Sequence, residues 1–223
     1  MKLNAALERR AVVHSANLDW VQSPMPNVER RMLERNGNEI ARATSVVRYA
    51  PNSAFSRHTH SGGEEFLVLE GVLSDEMGDF PTGTYVRNPV GSSHRPQSRL
   101  GCTIFVKLWQ MPAPDQAFVR TNIARTTDWR IDASGERRLT LHETDHERVC
   151  VVELAPGNDS APSEYRDGAE LFVIQGTIAD EHEDYEPGSW LRLPPGEQHT
   201  LKCKTTTRFL LKTGHLSDPP PLP

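Results

Sequence analysis

The sequence predicts an all-β chain built as two tandem copies of one barrel. Three observations predict it. Helical periodicity is almost absent, and short apolar runs of strand type, broken by Pro and Gly, take its place. A shift of 105 residues realigns the chain on itself without a gap. Between the two copies lies Met111-Pro-Ala-Pro-Asp115, a Pro-rich stretch of the kind that few contacts cross.

Taken in order, residues 1–16 read as an N-terminal arm, with a short helix over Leu3 to Arg10 and a strand at Val12-Val13. Residues 17–110 form the first barrel, with strands at Ala43 to Tyr49, Phe66 to Leu69, Thr84 to Arg87 and Thr103 to Trp109. Residues 111–116 are the linker and 117–215 the second barrel. Residues 216–223 are a Pro-rich tail that cannot extend a sheet, because Pro has no N–H to donate.

The repeat also sorts residues by what they are for. Val46-Val47 meets Val151-Val152, Ala50-Pro51 meets Ala155-Pro156, and Gly71 meets Gly176. Gly83, Arg87, Pro89, Gly91 and His94 meet Gly188, Arg192, Pro194, Gly196 and His199. Glu65 meets Glu170, and Asp75-Glu76 meets Asp180-Glu181. Position 58, in contrast, holds His in the first copy and Ser163 in the second; position 60 pairs His with Tyr165, and position 64 pairs Glu with Ala169. What both copies keep serves the fold. His58, His60 and Glu64 serve something that only the first copy does.

Composition bounds the rest. A chain of 223 residues can close two small cores, and a hydrophobic fraction of 36% is low for a globular chain without being that of a disordered one. Net charge is −5 with no basic block, so nucleic acid is not an expected partner. The N-terminus has no continuous apolar run, and no segment approaches the roughly 18 apolar residues of a membrane span. Neither a signal peptide nor a membrane partner is expected. Cys102, Cys150 and Cys203 form no Cys-x-x-Cys pair, which predicts reduced thiols and a cytoplasmic chain.

The chemistry concentrates between Arg57 and Ser98. His58 and His60 are two residues apart, so on a strand both imidazoles leave one face. Glu64 keeps that parity, and Ser61-Gly62-Gly63 adds little bulk beside whatever the histidines hold. The Thr84 to Asn88 strand runs into the Pro89-Val90-Gly91 turn, which can bring His94 opposite them. Three imidazoles and a carboxylate converging inside an apolar barrel are costly unless a cation pairs them. The expected ligands are therefore His58, His60, Glu64 and His94, around one divalent ion per chain. Glu65, one residue off in parity and kept as Glu170, is expected to point away unless a bulge at Gly62-Gly63 intervenes. His14, His142, His146, His182 and His215 read as ordinary core or surface residues, and Asp75-Glu76 and Asp180-Glu181, placed in turns, as solvated or turn-forming. In the second copy Tyr165 is expected to fill the cavity with its hydroxyl on His199, whose strand parity Cys203 shares. No catalytic residue is assigned. A three-histidine, one-glutamate set suits zinc, iron, manganese, nickel or copper.

These residues carry a resemblance. His58-x-His60, Glu64 and Gly71, then Gly83, Pro89-x-Gly91 and His94, resemble the two sequence motifs of the cupins, with Ser98 where the second motif has Asn. The stretches HTHSGGEEFLVLEG, SDEMGDFPTGTYVRNPVGSSHRP and GCTIFVKLWQ are similar to the cupin part of the ChrR-type anti-sigma factors, over most of residues 17–110. The resemblance implies two tandem double-stranded β-helix, or jelly-roll, barrels, a zinc ion, and a regulatory or sensor role in transcription or stress response. That family grips its sigma factor with a helical HxxxCxxC domain ahead of the cupin. No such segment precedes residue 17, and His146-Glu-Arg-Val-Cys150 lacks the second Cys, so a sigma factor is not expected to bind by that route. The wider superfamily includes iron and copper dioxygenases of β-diketones and flavonols. It implies the alternative of a metal-dependent oxygenase of a small dicarbonyl or polyphenol. A non-catalytic ligand-binding barrel is the third reading, and a small-molecule ligand in the first barrel and a homodimer remain open.

Overall fold

The computed structural model describes residues 1–131, 133, 135–160 and 163–223, with backbone alone at 163 and 164. The fold is all-β: two jelly-roll barrels, with the 3-10 turn Ser15–Asn17 the one helical element among the described residues. One compact unit comprises Met1–Ala5, Leu18–Arg125 and Pro219–Pro223. The other comprises Ala6–Asn17 and Thr126–Asp218.

In the first unit the main sheet runs Lys2–Leu3, Val28–Gly37, Ala41–Tyr49, Cys102–Leu108, Glu64–Asp75, Thr84–Asn88 and Val119–Asn122, with neighbours hydrogen-bonded and antiparallel. The two-residue strands His58–Thr59 and Ser93–His94 pair separately. Thr84–Asn88 is buried along its whole length, as a strand covered on both faces must be. The core gathers Phe66, Val68, Leu73, Phe80, Val86, Ile104 and Val106.

The second unit repeats the plan: Arg130–Ile131, Arg137–Glu143, Arg148–Leu154, Thr207–Thr213, Ala169–Gln175, Ser189–Leu193 and Ala11–His14. The 105-residue shift carries Cys102–Leu108 onto Thr207–Thr213 and Thr84–Asn88 onto Ser189–Leu193 residue for residue. Single hydrogen bonds repeat too. The Gly83 amide donates to the Val68 carbonyl at 2.8 Å, and the Gly188 amide to Val173 at 2.8 Å.

Two segments fall outside the spans read from the sequence. Ala11–His14, read as part of an arm, pairs with Ser189–Leu193 as the edge strand of the second barrel. Val119–Asn122, read as the start of the second barrel, pairs with Thr84–Asn88 in the first. A repeat search misses this, because the two edge strands stand at opposite ends of their copies in chain order. The helix expected over Leu3 to Arg10 is a correction: Lys2–Leu3 is a strand, followed by turns. Asn4 has a φ of 46° and donates from Nδ2 to the Leu33 carbonyl at 2.7 Å, which ends any helical start. Eight residues without a packed face would not hold a helix on their own.

Gly176 shows what the shared glycines do. Its φ is +77°, and an added Cβ would stand 2.3 Å from the Thr206 carbonyl oxygen, so strain and collision coincide. Gly196, φ +80°, has nothing within 4 Å. Gly176→Ala is expected to cost about 3 kcal/mol or more, and Gly196→Ala only the backbone cost of about 1–2 kcal/mol. Urea unfolding midpoints of the two variants check the difference.

Candidate metal centre

The centre is assembled on one carbonyl oxygen. The His60 carbonyl accepts the Gly63 amide at 3.2 Å and the Gly91 amide at 2.9 Å, while the His60 amide donates to the Ser92 carbonyl at 2.9 Å. This ties the two-histidine segment to the Pro89-Val90-Gly91-Ser92 turn, itself closed by the Ser92 amide on the Pro89 carbonyl at 3.0 Å. Beyond the turn, His94 pairs with His58 across the short ladder. The three rings end 4.7 to 5.1 Å apart by centroid. Each offers a ring nitrogen, and these nitrogens lie within 4.8 Å of one another.

Glu64 joins them. Its Oε2 is 3.4 Å from His60 Nε2 and 3.5 Å from His94 Nε2. Neighbouring donors on a tetrahedral shell of radius about 2.1 Å would stand about 3.4 Å apart, so the spacing suits a small cation. Both Nε2 atoms are buried and make no hydrogen bond among the described residues. Buried, unsatisfied imidazole nitrogens facing a carboxylate are costly on their own, and a cation removes the cost. Burial pushes the His60 pKa down. Glu64 opposes the shift, and His94 and His58 add to it. A lowered pKa keeps the ring neutral, which is the form that ligates. The residues present therefore fit a divalent metal.

The neighbouring carboxylate faces the other way. Glu65 Oε2 accepts the Tyr85 hydroxyl at 2.6 Å and lies 3.3 Å from Arg87 Nη1, and Arg87 Nη2 continues to Asp115 at 2.5 Å. All of Glu65, Tyr85 and Arg87 is buried. Gly62 and Gly63 do a different job from the one expected. A Cβ on Gly62 would stand 2.3 Å from the Trp109 ring, and one on Gly63 2.5 Å from Met111 Sδ. They admit these side chains rather than clearing space for a ligand.

Three supporting residues escaped the sequence reading. Asp75, expected to be solvated or turn-forming, does form a turn but is not solvated. Its Oδ1 accepts the Met77 amide at 2.7 Å, which makes the turn, and its Oδ2 lies 3.0 Å from His94 Nδ1, with the side chain only 2% exposed. A carboxylate on the far nitrogen fixes the ring and its tautomer. Asp180 repeats the arrangement on His199, with Oδ2 3.0 Å from Nε2. Burial pulls the Asp180 pKa up, but donors from His199, the His182 amide, Tyr185 and the Glu183 amide hold it well below the usual carboxylate range. Asp and His survive together in both copies, which the repeat reads as scaffold. Asn88 donates to Glu64 Oε2 at 2.9 Å, and Arg120 holds Asn88 Oδ1 at 2.6 Å. Asn88 becomes Leu193 in the second copy, so it is lost together with the ligands.

At the equivalent place in the second barrel Ala169 brings no donor, and the side chain of Ser163 lies outside the described residues. His199 meets Asp180, where the Tyr165 hydroxyl was the expected partner. Tyr165 packs instead against the core cluster that contains Cys150 and Leu154, within electrostatic reach of Arg138. Cys203 donates to the Thr205 carbonyl at 2.9 Å, a packing role. No set of metal-ligating residues that includes His199 occurs among the described residues.

The first-barrel set lies in the wall of a cavity of about 470 Å³, lined by apolar residues that include Val47, Phe55, Leu73, Ile104 and Trp109.

Two jelly rolls in one chain, one of them with histidines and a glutamate gathered inside, define a bicupin. The chain belongs to the ChrR cupin-like domain family, matching it twice, over residues 8–112 and 117–217. Solved structures share the fold at low identity. A Nostoc punctiforme protein provisionally called a dioxygenase superposes with a TM-score of 0.77 at 13% identity, over 95% of this chain and 85% of that one. The Ylba protein of E. coli gives 0.72 at 14%, over 96% and 94%. A single-substitution variant of B. subtilis oxalate decarboxylase gives 0.65 at 12%, over 92% and 77%. None of the curated proteins matches the chain.

Two outcomes test the centre. Asp75→Asn is expected to lower metal affinity about 10- to 100-fold with the fold intact, because the ring loses its anchor and the metal loses the basicity that anchor lends. Competition with a chromophoric chelator, alongside circular dichroism, measures it. Glu64→Gln is expected to weaken metal binding while sparing stability. Glu65→Gln is expected to do the reverse and cost about 1–3 kcal/mol, since it removes one of the two carboxylates that the buried Arg87 guanidinium meets and weakens the bond from the Tyr85 hydroxyl. Chelator competition and urea unfolding of the same two variants separate these effects.

Proposed function

We propose that this chain is a metal-dependent enzyme of the cupin oxygenase type. One divalent ion is held by His58, His60, Glu64 and His94, and the substrate is a small molecule that presents two oxygens, such as a dicarbonyl in its enol form. The cavity carries this reading. A structural metal site is closed, whereas this ligand set opens into a space of about 470 Å³, within the range of small-molecule sites. When bound, a divalent ion acts as a Lewis acid that favours the enolate of a chelating substrate. The protein does the rest. Apolar walls at Val47, Phe55 and Leu73 exclude water from the bound molecule. Asn88 steadies Glu64, which stands close enough to the centre to accept the substrate proton as a general base. Asp75 keeps His94 Nε2 aimed inward.

A second reading, a zinc-binding sensor, is favoured by the family match itself. The readings diverge on metal identity, since zinc is redox-inert and an oxygenase needs iron, copper or manganese. The three cysteines are buried free thiols, which supports a reducing, cytoplasmic setting for either. No helix is long and apolar enough to cross a membrane among the described residues.

Elemental analysis of protein purified without added metal, followed by oxygen uptake on a panel of 1,3-dicarbonyls, is the test. Near-stoichiometric iron, copper or manganese with substrate-dependent oxygen consumption is expected. One zinc per chain, with no consumption after iron is restored, transfers the assignment to the sensor.

A further inference from the structure

The cavity has a charged wall that the metal ligands do not explain. Along Val28–Gly37 the register to Ala41–Tyr49 shifts between Met32 and Glu34. A bulge of one residue reverses the alternation of side chains beyond it. Arg30 and Arg35 are five apart and would otherwise face opposite ways. The bulge puts both on the inner face, opposite Val47 and Ala43, and both line the cavity.

The outward-facing arginines nearby each meet an aromatic ring or a buried carboxylate. Arg31 and Arg48 stack on the Trp20 ring at 4.3 and 4.2 Å, and Arg42 lies 3.2 Å from Glu34. The inward pair shares a single carboxylate among the described residues, the exposed Glu39. Arg35 is buried and donates to the carbonyls of Asn38 and Glu39, which fixes its guanidinium without neutralising it. The carboxylate that Arg30 meets among the described residues is Glu39, 3.5 Å from Nη2 and 67% exposed. Such a contact contributes little and is readily displaced. Burial, and then the charge of Arg30, depress the pKa of Arg35 while Glu39 opposes the shift, so the two cations feel each other across the same space.

Their relation to the metal ligands follows from the ladders. Glu64 pairs with Leu108, Leu108 with Ala43, and Ala43 with Arg35, one row across four strands. Three strand spacings make about 14 Å along a wall that curves around the cavity. A ligand held at the histidines therefore has Arg35 and Arg30 facing its far end.

We infer that Arg30 and Arg35 form an anion subsite, and that the natural ligand carries a carboxylate at the end remote from its metal-chelating oxygens. The inference rests on the small-molecule reading of this cavity and narrows it from dicarbonyls in general to acidic ones. A guanidinium pair matches a carboxylate in geometry as well as charge.

The test uses the full metal-loaded chain and two diketones that differ in one terminal group, 4,6-dioxoheptanoate and neutral 2,4-heptanedione, titrated by calorimetry. The acid is expected to bind at least 10-fold more tightly. Arg30→Gln and Arg35→Gln should each remove most of that preference, with binding of the neutral diketone, metal content and melting temperature unchanged. Arg30→Gln serves alone if the buried Arg35 proves necessary for folding. Equal binding of the two diketones, or a preference untouched by Arg30→Gln, overturns the subsite. If neither diketone binds, the chelation reading has failed. The subsite is then decided on hexanoate against hexan-1-ol, followed through tryptophan fluorescence. A preference for the acid that Arg30→Gln abolishes upholds it, and the absence of any preference overturns it.

Discussion

The geometry of this protein turns on a carbonyl that accepts two amides. In the first barrel Gly63 and Gly91 both donate to His60; in the second, Gly168 and Gly196 both donate to Tyr165, at 2.9 and 2.8 Å. Those bonds lock a loop to a turn from another part of the chain, and the side chain at that position hangs from the lock. Because they are made by main-chain groups, they survive any change of side chain. This explains how one copy could lose its histidines and keep its shape. The lock needs glycine φ values near +75° to +84° at its donors, and all four donors have them. Selection on the fold therefore acts on the glycines and the Pro-x-Gly turn, while selection on chemistry acts on what the lock displays.

That separation governed what could be read without coordinates. Strand parity grouped His58, His60 and Glu64, but the strand ends at Thr59 and Glu64 opens another one after the Gly63 turn. The turn and not parity brings Glu64 to the histidines. The internal repeat marked Glu65 as a residue with another duty. Neither device could find Asp75. It is kept in both copies, so it looked like scaffold, yet it is both scaffold and support: one oxygen makes a turn and the other holds a ring. A residue with two duties defeats a test that assigns one. Asn88 could have been found, since it vanishes along with the histidines and the glutamate it holds. Arg120 could not, because it comes from a strand that the repeat places at opposite ends of the two copies, and Val12 occupies its register in the second barrel.

The arginines of the cavity show a further limit. A five-residue spacing on a strand argues against a shared face, and only the bulge between Met32 and Glu34 overturns it. Bulges have weak sequence signatures unless glycine marks them, and this one has none. Physical patterning reads regular geometry well. It fails where a single inserted residue changes the sign of every later inference, and such places are often where side chains are re-aimed toward a site.

The placement of the edge strands has a consequence for biosynthesis. Ala11–His14 leaves the ribosome early, but its partner strand begins 175 residues later, the separation between His14 and Ser189. At 5–20 residues per second the wait is roughly 10 to 35 seconds. During that time a segment of sequence Ala-Val-Val-His has no neighbour to satisfy its main-chain groups. The first barrel meets no such delay, since Val119–Asn122 follows its partner closely in the chain. The barrel with the three histidines can thus pair its edge strand before the second barrel is complete.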